Sequence, residues 1–183
     1  FQLADNALQA ELELAPKPKP EENKVRTGDL GFIYQGELYI TGRLKELIVI
    51  NGKNIYPLDI EALVKNTAAK GPVPSISTAQ VLSFSVLRDN TERLVLLQEI
   101  TPLQARGFDY EATFRDYQNS ITEQLGITLE VVVWVKTASI GKTSSGKPQR
   151  TLCKTQFQRG TLKEVFRIDR HNNAITPKES QDF

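Results

Sequence analysis

Asn51-Gly52-Lys53-Asn54-Ile55-Tyr56-Pro57-Leu58-Asp59-Ile60-Glu61 is the stretch that decides how this chain folds. Asn-Gly tolerates positive φ at both positions, so it predicts a two-residue turn closing the apolar run Leu47-Ile48-Val49-Ile50 onto a short returning strand. Tyr56-Pro57 stops that strand, and a proline there suits the first turn of a helix. Ile60, Leu63, Val64 and Thr67 then fall at i, i+3, i+4 and i+7, one face of that helix. Asp59 and Glu61 lie in its first turns, where carboxylates complement the helix dipole. That role suits them better than catalysis.

Upstream, Gly31-Phe32-Ile33-Tyr34 and Leu38-Tyr39-Ile40-Thr41 flank Gln35-Gly36-Glu37, a hairpin signal, with Asp29 as a turn carboxylate just before it. Earlier still, Leu3, Leu8, Leu12 and Leu14 precede Pro16-Lys17-Pro18-Lys19-Pro20, whose alternating prolines leave no apolar face, so 15–24 reads as a surface loop. Downstream, Val81 to Leu87 alternates Leu82, Phe84 and Val86 with Ser83 and Ser85, a half-buried strand, and Arg93 to Ile100 returns as its antiparallel partner. Phe108 to Leu125 carries Tyr110, Phe114, Tyr117, Ile121 and Leu125 at helical spacing. Leu129 to Val135 is nearly continuous in apolar residues, hence a central strand with Trp134 buried. A short helix follows at 149–158, and 161–183 reads as a flexible tail. The fold class is therefore α+β, a small sheet with packed helices.

The composition, 39% hydrophobic over 183 residues, supports one or two small domains. With 23 basic and 22 acidic residues, a net charge of +1, the chain has no global pull toward nucleic acid or anionic membrane, so any anion binding is local. Cys153 is alone, which excludes an intramolecular disulfide framework and fits a reducing, cytoplasmic compartment. Without a histidine partner it reads as a buried apolar residue. The single histidine, His171, sits in a polar segment, which argues against zinc and His-based catalysis; no metal ligands are expected. No apolar run is long enough for a membrane span, and no signal-peptide pattern is present. The absence of methionine makes the sequence read as a piece of a longer chain.

Gly141-Lys142-Thr143-Ser144-Ser145-Gly146-Lys147-Pro148-Gln149-Arg150 concentrates three cations, two glycines and three hydroxyls in ten residues. Hydroxyls and glycine-freed backbone N–H groups suit phosphate or carboxylate oxygens, and a lysine supplies a compact, mobile positive charge. Two other readings compete. A phosphate-binding P-loop needs Ser or Thr where Pro148 stands and a buried strand directly before Gly141. A solvated basic loop with no chemistry is the other.

Three segments together resemble, in order and spacing, the last motifs of the adenylate-forming ligases. They are Arg26-Thr27-Gly28-Asp29, then Gly42-Arg43-Leu44-Lys45 with Asn51 to Glu61, and then Lys142 to Arg150. The form Gly-Lys-Asn-Ile-Tyr-Pro-x-Asp-Ile-Glu looks most like fatty acyl-AMP ligases. The resemblance covers roughly residues 26–158 and implies the fold's mobile C-terminal domain. By it, 1–42 would end the large N-terminal domain, 43–160 would be the lid, and 161–183 the tail.

The implied chemistry joins ATP and a fatty acid, with Mg2+ held largely outside this piece, and passes the acyl group to an acyl carrier protein. Lys147 matches the catalytic lysine. Asp29 matches the aspartate that grips the ribose hydroxyls, and Arg43 an arginine near the ribose. Lys45 matches the hinge, and the turn containing Gly52 the loop presented to the active site in the second, acyl-transfer orientation. The piece alone would be inactive without its partner N-terminal domain. An acyl-CoA synthetase using coenzyme A, or a non-catalytic module that docks a partner protein, are the alternatives. The departures are the missing phosphate loop, acyl pocket and distinguishing insertion, together with Pro148 in a place that is usually aliphatic and the prolyl-lysyl segment at 16–20.

Overall fold

The computed structural model describes residues 26–71, 76 and 78–170, and the backbone of 174–177. The leucine-spaced stretch, the loop expected at 15–24 and His171 lie outside the described residues. Two compact units meet between Lys45 and Glu46. The boundary expected ahead of Arg43 falls later because Arg43 still pairs in register with Asp29, and the Leu44 N–H bonds the Gly28 carbonyl at 2.9 Å.

In the first unit, β1 (Asp29–Tyr34) and β2 (Glu37–Arg43) form an antiparallel hairpin. Gln35 and Gly36, with φ of 51° and 82°, make its turn, the double positive-φ geometry that matches strand twist. A bulge shifts the register between Leu30 and Gly31. A Cβ at Gly31 would sit 2.5 Å from the Tyr39 carbonyl oxygen, so only glycine lets the strands approach. Phe32 and Tyr39 stack across the strands at 5.2 Å between ring centroids. Leu44 to Glu46 is a single 3-10 turn.

The second unit opens with the hairpin β3 (Ile48–Ile50) and β4 (Lys53–Ile55), turned by Asn51 and Gly52 at φ of 53° and 73°. Pro57 begins α1 (Pro57–Lys70), which ends against Gly71. A sheet of five strands follows in the order β5 (Val81–Arg88), β6 (Thr91–Ile100), β7 (Leu129–Lys136), β8 (Glu164–Asp169), β9 (Ala174–Pro177). Neighbours are antiparallel except β6 and β7, which are parallel. Between those two lie the short α2 (Pro102–Ala105) and the longer α3 (Tyr110–Leu125). Asp109 caps α3 by accepting from the Ala112 N–H at 2.8 Å, and Gly126 closes it at φ 64°. The helix α4 (Arg150–Arg159) follows the lysine loop.

Two cores result, one on each face of the sheet. Ile60 and Val64 of α1 and Phe114, Tyr117 and Ile121 of α3 pack with Val81, Leu94, Leu96, Val132 and Trp134. On the opposite face, Cys153 and Phe157 of α4 cover Leu82, Phe84, Val95, Leu97, Val131 and Val133. The α+β class therefore holds, in three layers. Because both faces of β5 are covered, Ser83 is buried and the half-buried reading of that strand is corrected. Its hydroxyl donates to the Pro57 carbonyl at 3.1 Å.

Over its described part the flexible tail expected at 161–183 is also corrected, since that part supplies β8 and β9 and the unit continues past residue 160; 171–173 and 178–183 lie outside the described residues. Beyond its ladders with β7 and β9, side-chain contacts hold β8. Phe166 stacks on Tyr110 at 4.1 Å, the Arg167 guanidinium lies 4.8 Å from the Phe157 ring centroid, and buried Asp169 accepts from Arg88 through both oxygens at 3.0 Å.

Candidate functional site

The segment from Gly141 to Arg150 folds as a miniature hairpin. Lys142 and Pro148 form an isolated antiparallel bridge. The Thr143 N–H donates to the Lys147 carbonyl at 2.8 Å, and the Gly146 N–H returns to the Thr143 carbonyl at 2.9 Å. Gly146 takes φ of 80°. The Lys147 N–H donates to the Thr143 hydroxyl at 3.1 Å, which also shares a hydrogen with Ser145 at 2.9 Å.

These bonds correct two expectations. The backbone N–H groups of Thr143, Gly146 and Lys147 are committed to the loop's own oxygens, so they do not form a cradle for phosphate as a P-loop does. The Thr143 and Ser145 hydroxyls likewise brace the loop. The ammonium groups of Lys142 and Lys147, both exposed, are the positive charges the loop offers an anion. Lys147 forms no ion pair among the described residues.

Both roots of the loop are tied to the core by carboxylates. Buried Glu99 accepts the Ile140 N–H at 3.0 Å, and the Ile140 side chain is itself buried. The Gly141 carbonyl accepts from the Gln149 N–H at 2.8 Å, drawing the roots together. Arg150, one of the three cations read as facing an anion, instead turns inward. Its Nη1 donates to Glu61 Oε1 at 2.5 Å and to the Ser83 carbonyl at 2.6 Å, and its Nε to Glu46 Oε2 at 3.2 Å. Glu61 also accepts the Ser83 N–H at 2.8 Å.

Sequence reasoning missed Glu46, Glu61, Ser83 and Glu99 as parts of this arrangement. A signal existed for one of them. Glu61 stands four residues after Pro57 and three before Val64, both buried, so it lies on the apolar stripe of α1 and not on its wet face. A carboxylate there requires a buried partner.

Asp29 and Arg43 stand opposite each other in the hairpin register, with Arg43 Nε 3.2 Å from Asp29 Oδ1. Lys45 is exposed, at the junction of the two units. Gly52 lies exposed at the tip of the β3–β4 turn. The structure thus brings Asp29 and Arg43 into contact in the first unit and carries Gly52 and Lys147 on the second.

Burial pushes the Cys153 thiol up from its ordinary value, and the residue fills the core beneath α4. Burial also raises the Asp59 carboxyl. Among the described residues, no three His, Cys, Asp or Glu side chains come together to hold a metal ion, and no helix is long and apolar enough to cross a membrane.

No protein-family model matches the chain. It is 38% identical over 138 residues to a medium-chain-fatty-acid (acyl-carrier-protein) ligase of Moorena producens (strain JHB), covering 75% of the chain and 22% of that protein. It is 31% identical over 169 residues to a ligase of the same description from Teredinibacter turnerae, covering 91% of the chain and 26% of that protein. A structure from a study of fatty acyl-adenylate ligases of E. coli and L. pneumophila superposes with a TM-score of 0.57 at 33% identity, covering 74% of the chain and 22% of the other. The chain spans about a quarter of the length of the curated relatives it matches.

Proposed function

We propose that this chain, which belongs to the adenylate-forming ligases and is similar to fatty-acid (acyl-carrier-protein) ligases and fatty acyl-adenylate ligases, is the mobile C-terminal part of an enzyme that adenylates a fatty acid. A carboxylate oxygen of the acid attacks the α-phosphorus of ATP. The new O–P bond forms as the bond to the bridging oxygen breaks, and pyrophosphate leaves with the electron pair. The thiol of an acyl carrier protein then attacks the acyl carbonyl carbon and gives up its proton; as the C–S bond forms the acyl C–O bond breaks, and AMP departs with the electron pair.

Two anions must meet in the first step, and Lys147 is the group we assign to it. An ammonium placed between carboxylate and phosphate offsets their repulsion and stabilises the charge that develops in the transition state. Asp29 accepts from the ribose hydroxyls while Arg43 steadies its carboxylate. Bound Mg2+ would neutralise phosphate charge, and the resemblance puts its ligands largely outside this piece. Rotation at Lys45 exchanges the Lys147 loop for the Gly52 turn when acyl transfer begins. A reducing, cytoplasmic setting agrees with a free, buried Cys153.

The observation that carries this reading is the exposed Lys147, held without an ion pair among the described residues on a loop whose two roots are anchored to the core. In the full-length ligase, Lys147→Ala should slow ATP–pyrophosphate exchange by about 10²–10³-fold, the scale of losing one aimed electrostatic group. A near-wild-type exchange rate would overturn the assignment. Supplying holo acyl carrier protein and coenzyme A separately distinguishes the acceptor, and transfer to coenzyme A alone would replace the carrier protein in this scheme.

A further inference from the structure

The chain passes from one anchored residue to the next across Lys45. On one side the Leu44 N–H is bound to the Gly28 carbonyl within the first unit. On the other, Glu46 is bound to Arg150 within the second. Arg150 begins α4 and stands three residues beyond Lys147.

We infer that Arg150 is a positioning residue that couples the hinge to the Lys147 loop: its guanidinium joins Glu46, next after Lys45, to Glu61 in the core, so rotation at Lys45 reaches the loop without slack. The inference rests on the functional reading above, because it assigns Lys45 as the hinge and Lys147 as the group delivered.

The geometry separates two jobs of one side chain. The Glu61 arm is structural. Its side chain is 9% exposed against 11% for Arg150, and the same oxygen serves the Ser83 backbone, so losing it would strand a buried charge. The Glu46 arm differs. That carboxylate is 38% exposed, and a pair so open to solvent adds little to stability. What it does supply is placement. Through Nε it fixes the first residue after the hinge to the guanidinium plane whose other edge is seated on α1 and β5. A lysine at position 150 would carry the charge but lack the planar fork needed to hold Glu46, Glu61 and the Ser83 carbonyl together.

Glu46→Ala in the full-length ligase tests the coupling, because it removes the acceptor of Arg150 Nε while keeping the Arg150–Glu61 pair. The expected result is a fall of about tenfold in kcat for adenylate formation with KM for ATP and fatty acid within about twofold, the pattern of misplaced catalysis and not of weakened binding. Amide exchange at Thr143, Gly146 and Lys147 should rise by about tenfold as the loop gains freedom. Arg150→Lys should show the same split in kcat and KM. Wild-type kcat together with wild-type loop exchange in Glu46→Ala would overturn the inference. So would a kcat loss that only follows a lowered melting temperature. Lys147→Ala run in parallel tells the two ideas apart. If it is slow while Glu46→Ala is normal in both readouts, the coupling alone fails; if Lys147→Ala is itself normal, the functional reading fails and takes the coupling with it.

Discussion

The Lys53 ammonium donates to the Leu125 carbonyl oxygen at 3.1 Å, joining the strand after the Asn51-Gly52 turn to the last turn of α3. A cation at a helix C-terminus meets the partial negative charge of carbonyls that have no partner within the helix. Gly126 leaves the room for it, since a Cβ there would sit 2.3 Å from Lys53 Nζ. Lys53→Met should cost about 0.5–1 kcal/mol in urea unfolding. Gly126→Ala should cost about 1–2 kcal/mol, because its φ of 64° is left-handed and the lysine must also move aside. The double variant should lose less than the sum, as both changes remove one contact. Full additivity would show that the contact contributes nothing.

Glu61 predicts a larger effect. Glu61→Leu leaves the Arg150 guanidinium and the Ser83 N–H without their acceptor in a buried place, and should destabilise by about 3–5 kcal/mol. Adding Arg150→Met should return part of that loss, because the stranded charge goes with it. Chemical denaturation of the two variants checks this, and equal losses in both would refute the stranded-charge explanation.

The parts legible in the sequence were those set by local rules. The Asn51-Gly52 turn, Pro57 at the start of α1 and the continuous apolar run of β7 each follow from neighbours within a few residues. The parts that escaped depend on partners far along the chain. Glu164-Val165-Phe166-Arg167-Ile168-Asp169 reads as a charged tail, because nothing local reveals that Asp169 meets Arg88 or that Arg167 lies over Phe157. Arg150 reads as one of three loop cations suited to an anion for the same reason, its partners Glu46 and Glu61 being 104 and 89 residues away. The loop's glycines and hydroxyls suggested an anion cradle. Their type alone does not show whether they bind a ligand or one another.

Tyr117 sets an alkaline limit. It is buried between α3 and the sheet, and its hydroxyl donates to Gln98 Oε1 at 2.9 Å. Burial, first of all, pushes its pKa from 10.0 to about 12. The folded state therefore holds this proton more tightly than the unfolded chain. The associated stability is complete below pH ~10 and is lost as pH rises through about 12, a change of about 2–3 kcal/mol. Urea midpoints measured from pH 8 to 12 should fall over the last two units. Tyr117→Phe should flatten that limb while lowering stability at pH 8, since Gln98 loses its donor. An unchanged alkaline limb in that variant would assign the effect to other groups.

Asp29 and Arg43 face each other at 3.2 Å across the first hairpin, so each orients the other before any nucleotide arrives. On the proposed assignment the pair acts on ribose as a unit. Asp29→Asn and Arg43→Gln in the full-length ligase should each raise KM for ATP by about tenfold with kcat within about threefold, the signature of lost ground-state binding. The double variant should be little worse than either single one, because removing one partner already misplaces the other. The arginine is solvent-exposed, so added salt should weaken the wild-type advantage as the pair is screened. Steady-state kinetics at two ionic strengths measures all of this. Independent, multiplying effects on KM would mean that the two residues meet the nucleotide separately, and an unchanged KM in Asp29→Asn would remove the ribose from its role.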